Sequence, residues 1–185
     1  NLVKDGLSGW VPSILKEEYG MGDSLSILLT LALPLVSMFG SAFSVKAQKR
    51  LPDFVLLCGA LFGGSAVVLF GISVGLKEGL LPLLFAGFAL VCFLMATGNS
   101  VITSMFPMFM KGKMNSGMLA GVLNGFCYVG STLSSYGLGA LADHFGWEAV
   151  FTVLTAVCAV CLMLATGYGA SKRIIKRQEY RETAG

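Results

Sequence analysis

The sequence predicts an all-α, polytopic membrane protein folded as a bundle of six transmembrane helices. Three observations support this fold class: long apolar runs, a low content of charge, and basic residues that alternate between successive connections. Of the 185 residues, 55% are hydrophobic and 12% are charged, and the mean hydropathy is +0.78. A soluble domain usually carries about 25% charged residues. Runs of about 20 apolar residues in such a chain are therefore membrane spans.

Six helical spans, joined by short polar connections, account for most of the chain. We predict them at about residues 1–18, 23–45, 54–76, 80–110, 115–143 and 149–170. Because proline lacks the N–H that an α-helix needs, Pro34 should kink the second span and Pro107 should interrupt the fourth. Residues 1–171 then form the bundle, and residues 172–185 form a basic tail.

The first span is expected to be truncated, because residues 1–18 are short for a bilayer crossing of about 20 residues. The chain opens at Asn1 without an initiator methionine or a signal sequence. We therefore expect the chain to be an interior piece of a longer protein.

The positive charges predict the orientation of the helices. With these six spans, two even-numbered connections and the tail hold ten of the basic residues: Lys46, Lys49, Arg50, Lys111, Lys113, Lys172, Arg173, Lys176, Arg177 and Arg181. Lys16 and Lys77 fall on the other side. Since basic residues concentrate in cytoplasmic loops, we expect a multi-pass protein of the cytoplasmic (cell) membrane, surrounded by the lipid bilayer, with a cytoplasmic C-terminus.

The fifth span combines small residues with two polar ones. The small residues are glycines, three of them spaced four apart and one further along: Gly117, Gly121, Gly125 and Gly130. Helices in lipid associate where small residues allow close approach, so we predict that these glycines are helix-packing residues. Asn124 and Tyr128 lie four apart and therefore share one side of the helix.

Lys4 and Asp5 are charged residues inside the first apolar stretch. A charge at membrane depth costs about 2.5–3.5 kcal/mol on insertion scales and usually lines a solute or ion path. Lys4 is therefore a candidate for substrate binding, where its ammonium would suit a phosphate or carboxylate. The alternative is that Lys4 anchors a helix start and reaches water through its flexible stem.

Three uncharged polar residues are further candidates for substrate binding: Asn99, Asn124 and Tyr128. Each could donate or accept a hydrogen bond to a solute. The alternative for each is a hydrogen bond between helices, which is worth about 0.6–2 kcal/mol in a membrane.

The sequence does not predict an enzyme. All five cysteines lie in apolar runs, and their odd number argues against a disulfide framework. Cys158 and Cys161 form a CxxC motif without the second ligand pair that a metal site needs. Residues 137–142 mimic a dinucleotide-binding fingerprint, but no strand precedes them. We therefore expect no catalytic residue, no cofactor, no metal and no nucleic-acid partner.

Three stretches of the chain carry a resemblance to a known family. The first combines a basic residue, a glycine two positions later and a Trp-x-Pro-x-x-Leu-Lys-Glu pattern: Lys4, Gly6, Trp10, Pro12, Leu15, Lys16 and Glu17. The other two cover residues 120–130 and 143–151. Together they resemble the organophosphate:phosphate antiporters of the major facilitator superfamily, which include bacterial glycerol-3-phosphate and hexose-phosphate transporters.

The resemblance covers essentially the whole chain as helices seven to twelve, the C-terminal half of a 12-helix major facilitator fold. It implies that the Lys4 position helps to bind the substrate phosphate, and that Tyr128 lies near the site. It also implies a partner, the missing N-terminal six-helix half, which would supply an arginine from its first helix. Lysine keeps the charge of the basic position but lacks the bidentate fork of arginine.

The function implied is secondary active transport of a small, anionic solute, such as an organophosphate, by alternating access, as an antiporter. Two alternatives stay open at this point. One is a membrane sensor that binds a phosphorylated sugar, and the other is a carrier for another small solute in which Lys4 is structural. The chain also departs from the glycerol-3-phosphate carriers at Asn1, Leu33 and Asn124, so the resemblance predicts the architecture more closely than the ligand.

Overall fold

The computed structural model describes the backbone of residues 1–183 except residues 21 and 80. It describes the side chains of residues 1–171, apart from residues 18, 21, 23, 25, 29, 77, 78 and 80. Within these ranges the chain is made almost entirely of helices and contains no strand, which confirms the predicted fold class.

The helices follow one another with short connections. In chain order they are α1 (Leu2–Tyr19), α2 (Asp23–Thr30), α3 (Ala32–Arg50), α4 (Phe54–Glu78), α5 (Leu81–Ser100), a π-helical turn (Val101–Met105), α6 (Phe106–Phe109) and α7 (Ser116–Thr183). Helix α7 is two helices, because Gly146 has non-helical backbone angles, φ 77° and ψ 172°. A positive φ is readily available to glycine alone. We name the two arms α7a (116–145) and α7b (147–183).

The described chain contains four segments that are long and apolar enough to cross a membrane: Ser26–Arg50, Phe54–Leu76, Leu81–Phe109 and Ser116–Ser171. The last segment has 56 residues and contains the Gly146 break. Leu123 and Leu164, one from each arm, line the same cleft, so the chain reverses direction at Gly146. Helix α1, with 18 residues, completes a bundle of six long helical segments within the described residues.

The helix break near Pro34 and the irregular turn near Pro107 both lie on the N-terminal side of the proline. Helix α2 ends at Thr30, and α3 begins at Ala32, shortly before Pro34. Before Pro107, the helix widens into a π turn in which the Phe106 N–H donates to Val101 O, five residues earlier. The proline ring clashes with the carbonyl group four residues earlier, and the proline nitrogen has no hydrogen to donate to it. The backbone hydrogen bonds therefore change from the α-helical to the π-helical pattern at this point.

Two helix ends differ from the prediction. Helix α3 continues to Arg50 instead of ending near residue 45, and α7b continues to Thr183 instead of ending near residue 170. Lysine, arginine, glutamine and glutamate are good helix formers, so a helix need not stop where its apolar run stops. The side chains of the predicted tail, and residues 184 and 185, lie outside the described part of the chain.

One face of α1 packs into the core. Its buried side chains Val3, Leu7, Val11 and Ile14 recur every three or four residues and therefore form one face. They belong to one cluster with residues of α4, α5 and both arms of α7. Helices α3 and α5 also approach closely, because Thr97 Oγ1 donates to the Gly40 carbonyl at 2.8 Å.

The basic connections meet at one end of the bundle. Lys49 of α3 lines a groove with Phe54 of α4 and with Met108 and Phe109 of α6. The connection after α3 therefore lies beside the segment that leads into Lys111. Glu17 hydrogen-bonds to Trp147, which follows the turn at Gly146, and this contact marks the opposite end. The geometry agrees with the separation of charges that the sequence predicts.

Candidate functional site

An ion pair lies on the core helix α1. Lys4 Nζ is 3.0 Å from Asp5 Oδ1, and the two side chains are 25% and 33% exposed. Neighbouring residues on an α-helix do not face each other. The pair therefore depends on the long lysine stem curling back towards the carboxylate. Helix geometry does not fix the ammonium in place, and another rotamer can carry it away.

Ser131 of α7a is the second partner of Asp5. Its hydroxyl donates to Asp5 Oδ2, and it also lies 3.1 Å from the carbonyl oxygen of Cys127. Ser131 sits about halfway along α7a, roughly 22 Å from the first residue at about 1.5 Å per residue. The ion pair beside it therefore lies about halfway along a helix that is long enough to cross a bilayer core of about 30 Å.

Polar contacts extend from this cluster to α5. The Cys127 thiol donates to Asn99 Oδ1 at 3.7 Å. One turn along α1, the Ser8 hydroxyl lies 3.4 Å from Cys92 Sγ. The ion pair is thus the charged centre of a polar cluster formed by α1, α5 and α7a.

The predicted substrate-binding residues fall into two groups. Lys4 and Asn99 both belong to this polar cluster, joined through Asp5, Ser131 and Cys127. Asn124 and Tyr128 lie on the neighbouring stripe of α7a, and Tyr128 is 71% exposed. Their side chains make no hydrogen bond to the described part of the chain. They border the cluster and point away from this bundle.

Asp5 and Ser131 are the site residues that sequence reasoning missed as candidates. Asp5 was visible as a charge in an apolar run, but nothing in the sequence paired it with its neighbour, since adjacent helical residues diverge. Ser131 lies three residues after Tyr128 and seven after Asn124, which places it on almost the same side of α7a. That spacing was the available signal.

The predicted packing glycines also fall into two groups. An added Cβ at Gly130 would lie 3.4 Å from the Leu2 backbone nitrogen of α1. Gly121 and Gly125 have open space around them, and an added Cβ at Gly117 would meet just its own helix start, at Asn115 Oδ1. Within the described residues, no other helix packs against these three glycines. Their predicted role in helix packing therefore stays a prediction.

A family model, that of the Major Facilitator Superfamily, matches residues 2–182. The chain belongs to the Major Facilitator Superfamily. No curated protein and no solved structure gives a significant match. The superfamily consists of secondary membrane transporters, and the chain is accordingly a multi-pass membrane protein of that class.

In this superfamily member, two of the stretches that carry the sequence resemblance contact each other. Trp147 Nε1 donates to Glu17 Oε2 at 2.8 Å, and the rings of Trp10 and Trp147 lie 6.0 Å apart between centroids. An added Cβ at Gly139 would lie 2.6 Å from Trp10 Cζ2. These residues hold the C-terminal part of α1 against the two arms of α7 beside the break at Gly146, so their role in the fold is packing.

A separate cleft of about 450 Å³ lies between α4, the π turn and both arms of α7. Its lining is apolar apart from two thiols and the Tyr168 hydroxyl, which gives an anion no positive charge to bind. Within the described residues, no group of three or more His, Cys, Asp or Glu side chains could hold a metal ion. The polar cluster around Lys4 is therefore the better candidate site.

Proposed function

We propose that this transporter moves a small anionic solute, such as an organophosphate, by alternating access, and that Lys4 binds the anion. The observation that carries the proposal is the position of Lys4. Its ammonium lies near mid-depth of the bundle and is paired with an adjacent carboxylate, and the lysine side chain as a whole is a quarter exposed. A charge at this depth is costly and is usually retained for a solute or ion path.

Three uncharged side chains would complete the site. Asn124 and Tyr128 offer an amide and a phenol group on the open side of α7a, where a solute could reach them. Asn99 would act from α5, behind the cluster. Polar groups of this kind orient a ligand, while the ammonium supplies most of the attraction for its charge.

The other half of the site would come from a second six-helix bundle. In alternating access, two bundles rock about a site near the bilayer midplane. The open side of α7a, with Asn124, Tyr128 and the unpacked glycines, is the surface that we assign to that partner and to the solute between them. The basic end of the bundle would then face the cytoplasm, with the C-terminus, in the cell membrane.

Counterflow tests this function. The full-length protein is reconstituted into liposomes loaded with inorganic phosphate or glycerol 3-phosphate, and entry of the labelled solute is measured. We expect entry with the wild-type protein, its loss in Lys4→Gln, and partial retention in Lys4→Arg, which keeps the charge. Solute binding without any flux would instead favour a sensor.

Lys4→Gln alone is ambiguous, because it leaves Asp5 without its cation. The double variant Lys4→Gln/Asp5→Asn removes both charges and restores neutrality. If Lys4 binds the anion, this variant should be stable but inactive. If Lys4 is a structural partner of Asp5, the double variant should transport the solute again, and the site assignment would be wrong.

A further inference from the structure

A groove at the basic end of the bundle lies between α3, α4 and α6, apart from the candidate solute site. Its volume is about 570 Å³. We propose that this groove binds one phospholipid with an anionic headgroup, whose phosphate lies at Lys49 and whose acyl chain lies against the apolar wall. This second site does not depend on which solute the protein transports.

The groove lies where three membrane spans end. The first of these candidate spans ends at Arg50, the second begins at Phe54, and the third ends at Phe109. Phe54 and Phe109 line the groove, and so does Lys49, the neighbour of Arg50. A span ends where the hydrocarbon core meets the headgroup layer. The groove therefore lies at the depth where a phospholipid places its phosphate.

The wall of the groove extends from this level towards the hydrocarbon core. Val45 and Met105 line it about four residues further into their spans, which corresponds to about 6 Å along a helix. The side chains of Val45 and Met108 are 51% and 75% exposed, so the groove is open on its outer side. Methionine is flexible and fits irregular apolar shapes. This wall therefore suits the first part of an acyl chain.

Basic residues outnumber acidic ones beside the groove. The end of α3 and the connection that follows it contain Lys46, Lys49 and Arg50 against one acid, Asp53, whose carboxylate caps the first turn of α4. Within the described side chains, Lys49 has no ion-pair partner. Basic pockets between helices at the cytoplasmic surface bind anionic headgroups. The excess of positive charge favours such a headgroup over a zwitterionic one.

Gln48 adds an acceptor to the same wall. Its Nε2 group donates to the Pro52 carbonyl at 2.7 Å, which fixes the orientation of the amide. Its Oε1 atom is shielded from water and has no hydrogen-bond partner within the described residues. A buried acceptor without a donor is unfavourable. A glycerol headgroup carries hydroxyl donors beside its phosphate, so Lys49 and Gln48 together match phosphatidylglycerol.

The groove faces away from the surface that we assign to the second bundle. In the segment from the π turn to α6, Phe106 lines the cleft that also contains Leu123 of α7a. Met105, Met108 and Phe109 line the groove instead. The groove therefore lies on a different side of this segment from α7a, and we assign it to lipid.

The test measures lipid binding to the full-length protein in detergent, by native mass spectrometry and by thermal unfolding. Phosphatidylglycerol is compared with phosphatidylcholine of the same acyl chains, which has a zwitterionic headgroup without a hydrogen-bond donor. We expect one tightly retained phosphatidylglycerol molecule, and a Tm that rises with this lipid but not with phosphatidylcholine. Lys49→Gln should weaken binding about fivefold, the effect of about one basic residue near an anionic lipid. The matched control is Lys113→Gln, an exposed basic residue of the same end outside the groove, which should bind as wild type.

A second variant tests the apolar wall. Val45→Trp fills the groove from a half-exposed position, so this variant should fold and should lose the retained phosphatidylglycerol. Retention that Val45→Trp does not change would overturn the inference, and so would equal affinities of Lys49→Gln and Lys113→Gln. Equal retention of the two lipids by the wild-type protein would also overturn it.

Other occupants of the groove give a different result. If a second copy of the protein or another part of the full-length chain covers the groove, the wild-type protein will retain no phosphatidylglycerol there, and the inference is wrong. Solute transport does not enter these measurements. A failure of the counterflow experiment would therefore overturn the proposed function and leave the lipid site standing.

Discussion

The two halves of helix α7a are both rich in glycine, but they have different surroundings. Residues 130–139 pack on α1, where an added Cβ at Gly139 would lie 2.6 Å from the Trp10 ring. Residues 117–128 meet α5 through the Cys127 thiol, which donates to Asn99, but an added Cβ at Gly121 or Gly125 would meet no atom within 4 Å. The ion pair lies where the packed half begins, against Ser131.

This difference shows that glycine content does not by itself identify a packed face. A small residue permits close approach, but the partner helix decides whether the approach occurs. In α7a the packed half has α1 as its partner. In the open half, Gly121 and Gly125 have open space around them and Asn124 and Tyr128 are exposed, and this is the half that we assign to the solute and the second bundle.

The largest expected effect is at the packed half. In Gly139→Leu the new side chain has no room beside Trp10, so we expect a loss of stability at the upper end of the range for overpacking, about 3 kcal/mol. Gly137→Leu is the matched control two residues away, because an added Cβ there meets no atom within 4 Å. Thermal unfolding in detergent should show a much lower Tm for the first variant than for the second. Equal Tm values would mean that α1 and α7a do not pack as described.

A smaller effect is expected at the boundary between the halves. Ser131→Ala removes the hydroxyl that donates to Asp5, and a hydrogen bond to a charged group contributes about 1.5–3 kcal/mol. Ser135→Ala, which removes an exposed hydroxyl bonded to the Ser131 carbonyl, is the control. The Tm should fall in Ser131→Ala and stay near wild type in Ser135→Ala. If both variants have the Tm of the wild-type protein, the Ser131 hydroxyl does not stabilise the ion pair.

The smallest effect is expected at the open half. Tyr128→Phe removes one hydroxyl that makes no hydrogen bond within the described chain, so the Tm should not change. If that hydroxyl binds the solute, its loss should raise KM by about fivefold, corresponding to about 1 kcal/mol for a hydrogen bond. Phosphate counterflow at several concentrations measures this. An unchanged KM would exclude Tyr128 from the site.

The fold was largely predictable from the sequence, because membrane helices are long apolar runs and basic residues mark their ends. Helix ends were less predictable. The apolar run that ends near residue 170 predicts the end of the membrane span, whereas α7b continues through polar helix formers to Thr183. The sequence predicted that Pro107 interrupts the helix, but it did not predict that the interruption takes the form of a π turn.

The site was less predictable than the fold. Lys4 was identifiable because a charge in an apolar run is unusual, and Asn99 because few polar residues occur in these helices. The pairing of Lys4 with Asp5 depends on a lysine rotamer, and the bond from Ser131 depends on how α7a is rotated against α1. Neither is encoded in residue spacing along a single helix.

The most direct test of the central claim is the access of water to the open half of α7a. Single cysteines are placed at Asn124, Tyr128 and Phe126 in a full-length protein whose native cysteines have been replaced, and each is treated with a charged, membrane-impermeant thiol reagent. Phe126 is the control, because it is exposed on the opposite side of the same helix. We predict labelling at 124 and 128 that added phosphate reduces, and no labelling at 126. Unlabelled cysteines at 124 and 128, or equal labelling at all three positions, would contradict the assignment of this face to the solute path.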